Sequence, residues 1–260
     1  MPYKSPKAII EAVCASGGAK ATLPIPKQLV LSFLAGAYVA FGGMLAIVVG
    51  KGSPELAKAN PGLSAFAFGA VFPIGFVLVM IAGAELFTMN CSVVLPACLA
   101  RAAKWRALSL NWVVVYLGNL IGALFVALFI AYWTGIIHSG DLGKAAADIA
   151  EAKIGMGWGS LLLRGIGGNW LACLAVWLAT ASDDAAGKIL GTWLPIMAFA
   201  ALGLEHAIAD MFLVPLGMLN GAQVSVGQFL WNNLLPVTLG NIIGGAGFVG
   251  AIYWWIYGRD

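Results

Sequence analysis

Six runs of about twenty mostly apolar residues fill this chain, and that pattern removes almost every fold from consideration. In hydrocarbon each backbone N–H and C=O must be bonded within the protein, so runs of this kind fold as spanning helices. Composition agrees: 61% of the 260 residues are hydrophobic and 10% are charged, against about 25% charged in soluble domains. The expected fold is an all-α polytopic membrane protein with six transmembrane helices. A net charge of +3 gives no basis for nucleic-acid binding, because the basic residues gather at the ends of runs. No cleavable signal peptide is expected from the first twenty residues. Cys14, Cys91, Cys98 and Cys173 show neither metal spacing nor a disulfide framework and read as small buried apolar groups. No cofactor is expected.

Within the fifth run, Leu202–Met211 carries Glu205, His206 and Asp210 inside six residues. An ionisable group at the centre of a membrane helix costs roughly 2.5–3.5 kcal/mol on insertion scales. Such a cluster belongs where a helix faces a polar cavity, which makes transport the default function.

Residues 1–28 read as a cytoplasmic amphipathic segment. Ser5-Pro6 opens a short helix with Ala8, Ile9, Ala12 and Val13 on one side, ending near Gly17-Gly18. Residues 29–257 then form one channel domain, and 258–260 a cytoplasmic tail. The spans fall at about 29–49, 63–101, 112–133, 158–180, 190–219 and 233–255, and the polar stretch holding His138 through Lys153 is a loop. The second span is too long for a straight crossing and turns polar at Glu85, Thr88, Asn90 and Ser92. A broken helix lining a cavity accounts for both features.

Two stretches recur. Leu117-Gly118-Asn119-Leu120-Ile121-Gly122 returns as Leu239-Gly240-Asn241-Ile242-Ile243-Gly244 at an offset of 122, and Gly83-Ala84-Glu85-Leu86 returns as Gly203-Leu204-Glu205-His206 at an offset of 120. The repeats cover about 29–135 and 156–257 and hold three spans each, so the halves are inverted, with spans 2 and 5 broken. Gly118, Gly122, Gly240 and Gly244 suit close helix approach. Asn119 and Asn241 suit inter-helix hydrogen bonds, and Asn241 alternatively a place on the permeation path. Lys4, Lys7, Lys20, Lys27, Arg101, Lys104, Arg106, Lys188 and Arg259 lie on one side, nine against the four of Lys51, Lys58, Lys144 and Lys153. Both termini are therefore expected in the cytoplasm, and the protein in the cell membrane. Arg164 is expected to snorkel or pair at a helix interface, and Trp254 and Trp255 to join an interfacial belt.

Glu85-Leu86-Phe87-Thr88, Gly203-Leu204-Glu205-His206, Asn169-Trp170-Leu171-Ala172-Cys173 and Pro236-Val237-Thr238-Leu239-Gly240-Asn241 stand in an order that resembles the formate/nitrite transporter family. Ala181-Ser182-Asp183-Asp184 and Trp193-Leu194-Pro195 are similar to its formate transporters associated with formate dehydrogenase. The resemblance implies an aquaporin-like protomer, a homopentamer and one pore per protomer. It implies that His206 is the central pore histidine, with Thr88 beside it, and that Lys153 and Asn169 act at the outer vestibule. It also implies that Leu86, Phe87, Phe72, Phe76 and Phe199 form apolar constrictions. The family usually has asparagine where this chain has Asp210.

The implied substrate is formate or a similar small anion, with nitrite, hydrosulfide or another short carboxylate as the alternative. Protonating such a carboxylate at neutral pH costs about 4 kcal/mol, three units at 1.36 each. That is comparable to, or below, the cost of a bare charge in hydrocarbon. Two routes stay open: His206 gives the anion a proton and the neutral acid crosses, or a neutral His206 donates only a hydrogen bond while the anion itself passes. Glu85 and Glu205 read as anchors for unwound backbone. A neutral-solute channel is disfavoured, since Asn-Pro-Ala repeats are absent, and a haem-bearing redox subunit lacks a second intramembrane histidine. An enzymatic activity is not expected.

Overall fold

The computed structural model describes residues 3–259; the first two residues of the N-terminal segment and Asp260 of the tail lie outside the described residues. Ser5 caps α1 (Pro6–Ala21) by accepting the Ala8 N–H, with Pro6 at the first helical position. Ile9, Ile10, Val13 and Gly17 are buried. The helix does not end at Gly17-Gly18 as its glycines suggested. Gly17 instead packs so closely on α6 (Phe87–Leu99) that an added side-chain carbon would lie 2.2 Å from the Val93 oxygen, and the helix continues to Ala21.

The first crossing is α2 (Ile25–Lys51). After α3 (Pro54–Ala59), α4 (Pro61–Val71) and α5 (Ile74–Ala82) join through Phe72-Pro73 into one apolar rod. Residues 83–86 interrupt the rod before α6 begins. α7 (Trp105–Phe125) continues as a π-helical stretch to Tyr132. The polar stretch expected as a loop is a helix, α8 (Gly140–Ile154). Its alanines favour helix, and Gly143, Ala146 and Ala150 are buried; with so few large apolar groups the stretch did not read as an ordered element.

α9 (Trp158–Ala181) is followed by α10 (Ala185–Ala201), a second interruption, and α11 (Ala207–Leu219). The last rod, Val226–Tyr257, runs through α12 (Val226–Gln228), α13 (Leu235–Ile242) and α14 (Ile252–Tyr257) with π-helical turns between them. Among the described residues, five helices are long and apolar enough to cross a membrane; a further apolar run is divided between α10 and α11. Arg164 joins this second break, its guanidinium donating to the Gly203 oxygen at 3.1 Å.

Close helix contacts hold this arrangement. Side-chain carbons added at Gly122 and Gly244 would sit 2.0 Å from the Phe33 oxygen and 2.2 Å from the Ile166 oxygen, so α7 packs on α2 as the last rod packs on α9. Small residues at such crossings let backbones meet where the hydrophobic effect gives no help.

Candidate functional site

Both interruptions begin at a glycine in the left-handed region, Gly83 at φ +75° and Gly203 at φ +68°, which residues with a Cβ adopt at a cost of about 1–2 kcal/mol. The three residues after each glycine lie outside any helix, with Leu86 and His206 extended, so their backbone groups need partners from elsewhere. Two asparagines supply them in the same way. Asn119 donates to the oxygens of Ser32 (2.8 Å) and Glu85 (2.9 Å) and accepts the Phe87 N–H (2.9 Å). Asn241 donates to Gly165 (2.8 Å) and Glu205 (3.0 Å) and accepts the Ala207 N–H (2.8 Å). The Glu85 and Glu205 N–H groups bond to the oxygens of Leu31 and Arg164, each at 3.2 Å. Asn119 and Asn241 both act here as hydrogen-bond partners between helices.

Each glutamate meets a lysine from an amphipathic helix. Lys20 of α1 lies 2.6 Å from Glu85, and Lys153 of α8 lies 2.5 Å from Glu205 and 2.8 Å from Asp210. Burial alone would lower the Lys153 ammonium's pKa, but the Asp210 and Glu205 carboxylates reverse this and hold it above the ordinary lysine value. Lys153 is therefore a permanent cation. The sequence comparison did not reach Lys20, because Lys20/Lys153, Leu31/Arg164 and Ser32/Gly165 are related by 133 residues rather than 120 or 122. It also left Asn90 unassigned; the Asn90 amide donates to Glu85 Oε2 at 2.7 Å and to Asn111 at 3.0 Å.

His206 caps α11. Its Nδ1 accepts the Ala209 N–H at 3.2 Å, and its Nε2 lies 2.7 Å from Thr88 Oγ1. An Nδ1 that accepts has no proton, so the ring is neutral with hydrogen on Nε2, donating to Thr88. The Thr88 hydroxyl keeps its own hydrogen for another acceptor. Asn169 steadies this pair by donating to the Thr88 oxygen (3.0 Å) and the Asn241 oxygen (2.7 Å). The Phe76 and Phe199 rings pack on the imidazole at 5.1 and 5.9 Å, and Phe72 lies 5.7 Å from each of those rings.

Two cavities flank this cluster and share no lining residue. The one on the α8 side, about 260 Å³, is lined by Lys153, Glu205, His206, Asp210, Phe72 and Phe199 among others. The one on the α1 side, about 230 Å³, is lined by Lys20, Leu86 and Asn90 among others. Phe76, fully buried, lines neither. Phe87 stands apart from the other rings: it packs on Trp112 and Tyr116 at 5.9 and 4.9 Å, facing away from His206 toward the last rod. The extended backbone at Leu86 turns consecutive side chains to opposite faces, which sequence proximity alone does not reveal.

The family model for formate/nitrite transporters matches residues 7–255. A probable formate transporter of Methanothermobacter thermautotrophicus is 46% identical, with 99% of this chain and 98% of the relative aligned. A formate channel of Bacillus thuringiensis is 38% identical over 100% of this chain and 98% of its own length. Among solved structures, an FNT family ion channel matches with a TM-score of 0.88 at 31% identity, covering 95% of this chain and 98% of that one. A pentameric formate channel with formate bound matches with a TM-score of 0.78 at 32% identity, covering 90% and 98%. Matched by the family model over residues 7–255 and by these relatives along nearly its whole length, the chain belongs to the formate/nitrite transporter family.

Proposed function

We propose that this chain is a membrane channel for formate, built from two inverted halves in an aquaporin-like protomer. It assembles as a homopentamer in the cell membrane with both termini cytoplasmic. The observation that carries this reading is the Lys153 ammonium at the edge of a cavity that ends on His206 and apolar rings. Lys153 donates to Glu205 and lies 2.8 Å from Asp210, and its positive charge on the cavity wall attracts an anion.

Beyond Lys153 the path narrows to Phe72, Phe76, Phe199 and Leu86, where water is excluded and a bare charge is costly. A weak acid avoids that cost by crossing as the neutral molecule, at about 4 kcal/mol for protonation at neutral pH. The neutral imidazole fits a combination of the two routes: His206 supplies only a hydrogen bond, while the substrate still crosses as the neutral acid. Protonating Nδ1 would remove the α11 cap, worth about 1 kcal/mol, and would add a charge near Lys153. His206 therefore fixes the Thr88 hydroxyl through Nε2–H, and that hydroxyl hydrogen-bonds the passing acid.

The test is uptake into proteoliposomes of the purified protein, with formate, nitrite and hydrosulfide compared while internal pH is followed. Formate is expected to enter together with protons and to outpace the other two. Entry of formate without proton movement would sink the neutral-acid route, and faster nitrite flux would move the substrate assignment.

A further inference from the structure

Asp210 is completely buried, and neither of its oxygens receives an aligned hydrogen bond. Its contact with Lys153 at 2.8 Å is one of charge proximity. The same ammonium already pairs with Glu205, so two ionised carboxylates here would leave a buried net charge of −1. The other half of the molecule shows how this position is neutralised. At the offset of 120 residues Asp210 corresponds to Asn90, and the Asn90 amide donates to Glu85 Oε2 at 2.7 Å. A carboxyl group facing Glu205 can donate in that way only when it carries a hydrogen.

The surrounding groups fit the same conclusion. From α8 comes Lys153, from the break Glu205, and from Asp210's own helix cap the neutral His206. α7 brings the Tyr116 phenol, which is bonded to Thr238. Lys51 of α2 and Arg164 of α9 stand on the wall of the same cavity. α6 and the last rod contribute no charged side chain; Asn233, the counterpart of Asn111 at the offset of 122, is fully buried with its amide unpartnered.

We infer that Asp210 and Glu205 share one proton in the resting channel, and that this pair gives the proton to a formate anion docked on Lys153. In the transfer the carboxyl O–H bond breaks and a new O–H forms on formate. Neutral formic acid leaves toward His206, and the two carboxylates, now both ionised, close on the ammonium. A proton from the water-filled side of the cavity then restores the pair. The inference rests on the formate reading above.

Uptake by wild type and Asp210→Asn is compared over a series of pH values on the α8 side. With a resident donor, the ratio of wild-type to variant uptake rises about tenfold per pH unit until the pair itself loses its proton, because the variant depends on free acid. A ratio that stays constant with pH overturns the inference and leaves the formate channel standing. Failure of both proteins to carry formate overturns the channel reading instead. A measurement on wild type alone guards against a variant that does not fold. Infrared difference spectra in H2O and D2O at neutral pH should contain an exchangeable protonated-carboxyl band, and its absence overturns the shared proton.

Discussion

Asn241 illustrates how much one side chain carries at a break. Its three bonds satisfy the Gly165 and Glu205 oxygens and the Ala207 N–H in a buried setting. Each group left unpartnered costs about 1–3 kcal/mol, so Asn241→Leu is expected to destabilise the protein by at least about 3 kcal/mol. Thermal unfolding in detergent, with Asn119→Leu as the matched variant, checks this. Lys153 acts on flux as well as on stability. Lys153→Met leaves two buried carboxylates without a cation, a loss of about 3–5 kcal/mol when a buried pair is broken, and should cut initial formate uptake at least tenfold. Uptake equal to wild type would remove Lys153 from the pathway. On the α1 side Glu85 also has the Asn90 amide, so Lys20→Met should lower the unfolding temperature less than Lys153→Met does.

Among helices, the breaks and the crossings use glycine for different reasons. Nothing lies within 4 Å of a side-chain carbon built at Gly83, and at Gly203 only the Arg164 guanidinium at 3.9 Å. Gly83→Ala and Gly203→Ala should therefore each cost only the left-handed penalty, about 1–2 kcal/mol. Gly122→Ala and Gly244→Ala would strike backbone oxygens of the facing helix and should lose more than the break variants in the same melts. The opposite ranking would mean that conformation, and not helix approach, dominates at the crossings. α8 shows the limit of hydropathy at this scale. Its Ala146 and Ala150 fit so tightly on α11 that a carbon added at Gly217 would lie 2.4 Å from the Ala150 side chain. That docking brings Lys153 to Asp210, yet a helix of alanines and exposed charges carries no spanning signal.

For the whole molecule, the two halves repeat contacts as well as residues. Lysine to glutamate, asparagine to break, and the glycine approach of Gly122 and Gly244 to a facing oxygen each recur in both halves. The repeated contacts include α1 and α8, so the likeness between the halves extends beyond the two matching stretches of sequence. If the halves are inverted, the turn holding Lys104 after the second span and the turn holding Gln223 after the fifth lie on opposite sides of the membrane. Single cysteines placed at those positions in a cysteine-free background should react with an impermeant maleimide from opposite sides, Lys104 from the cytoplasm. The purified protein is expected to have the mass of five 27.0 kDa chains once detergent is subtracted.

The number of apolar runs, the polar interruptions at Glu85 and Glu205, and the motif order were all legible in the sequence, because hydrocarbon imposes length and polarity rules that each segment obeys alone. Family membership followed from those motifs. The pairing of Lys20 with Glu85, the separation of Phe87 from the other rings, and the acceptor role of His206 Nδ1 were decided only by tertiary structure. Each depends on where a distant helix docks or which way an extended residue points, and spacing along the chain contains neither quantity. Asp210 joins the two levels: its charge is plain in the sequence, but only its burial beside Glu205 on one shared ammonium gives it a proton to carry.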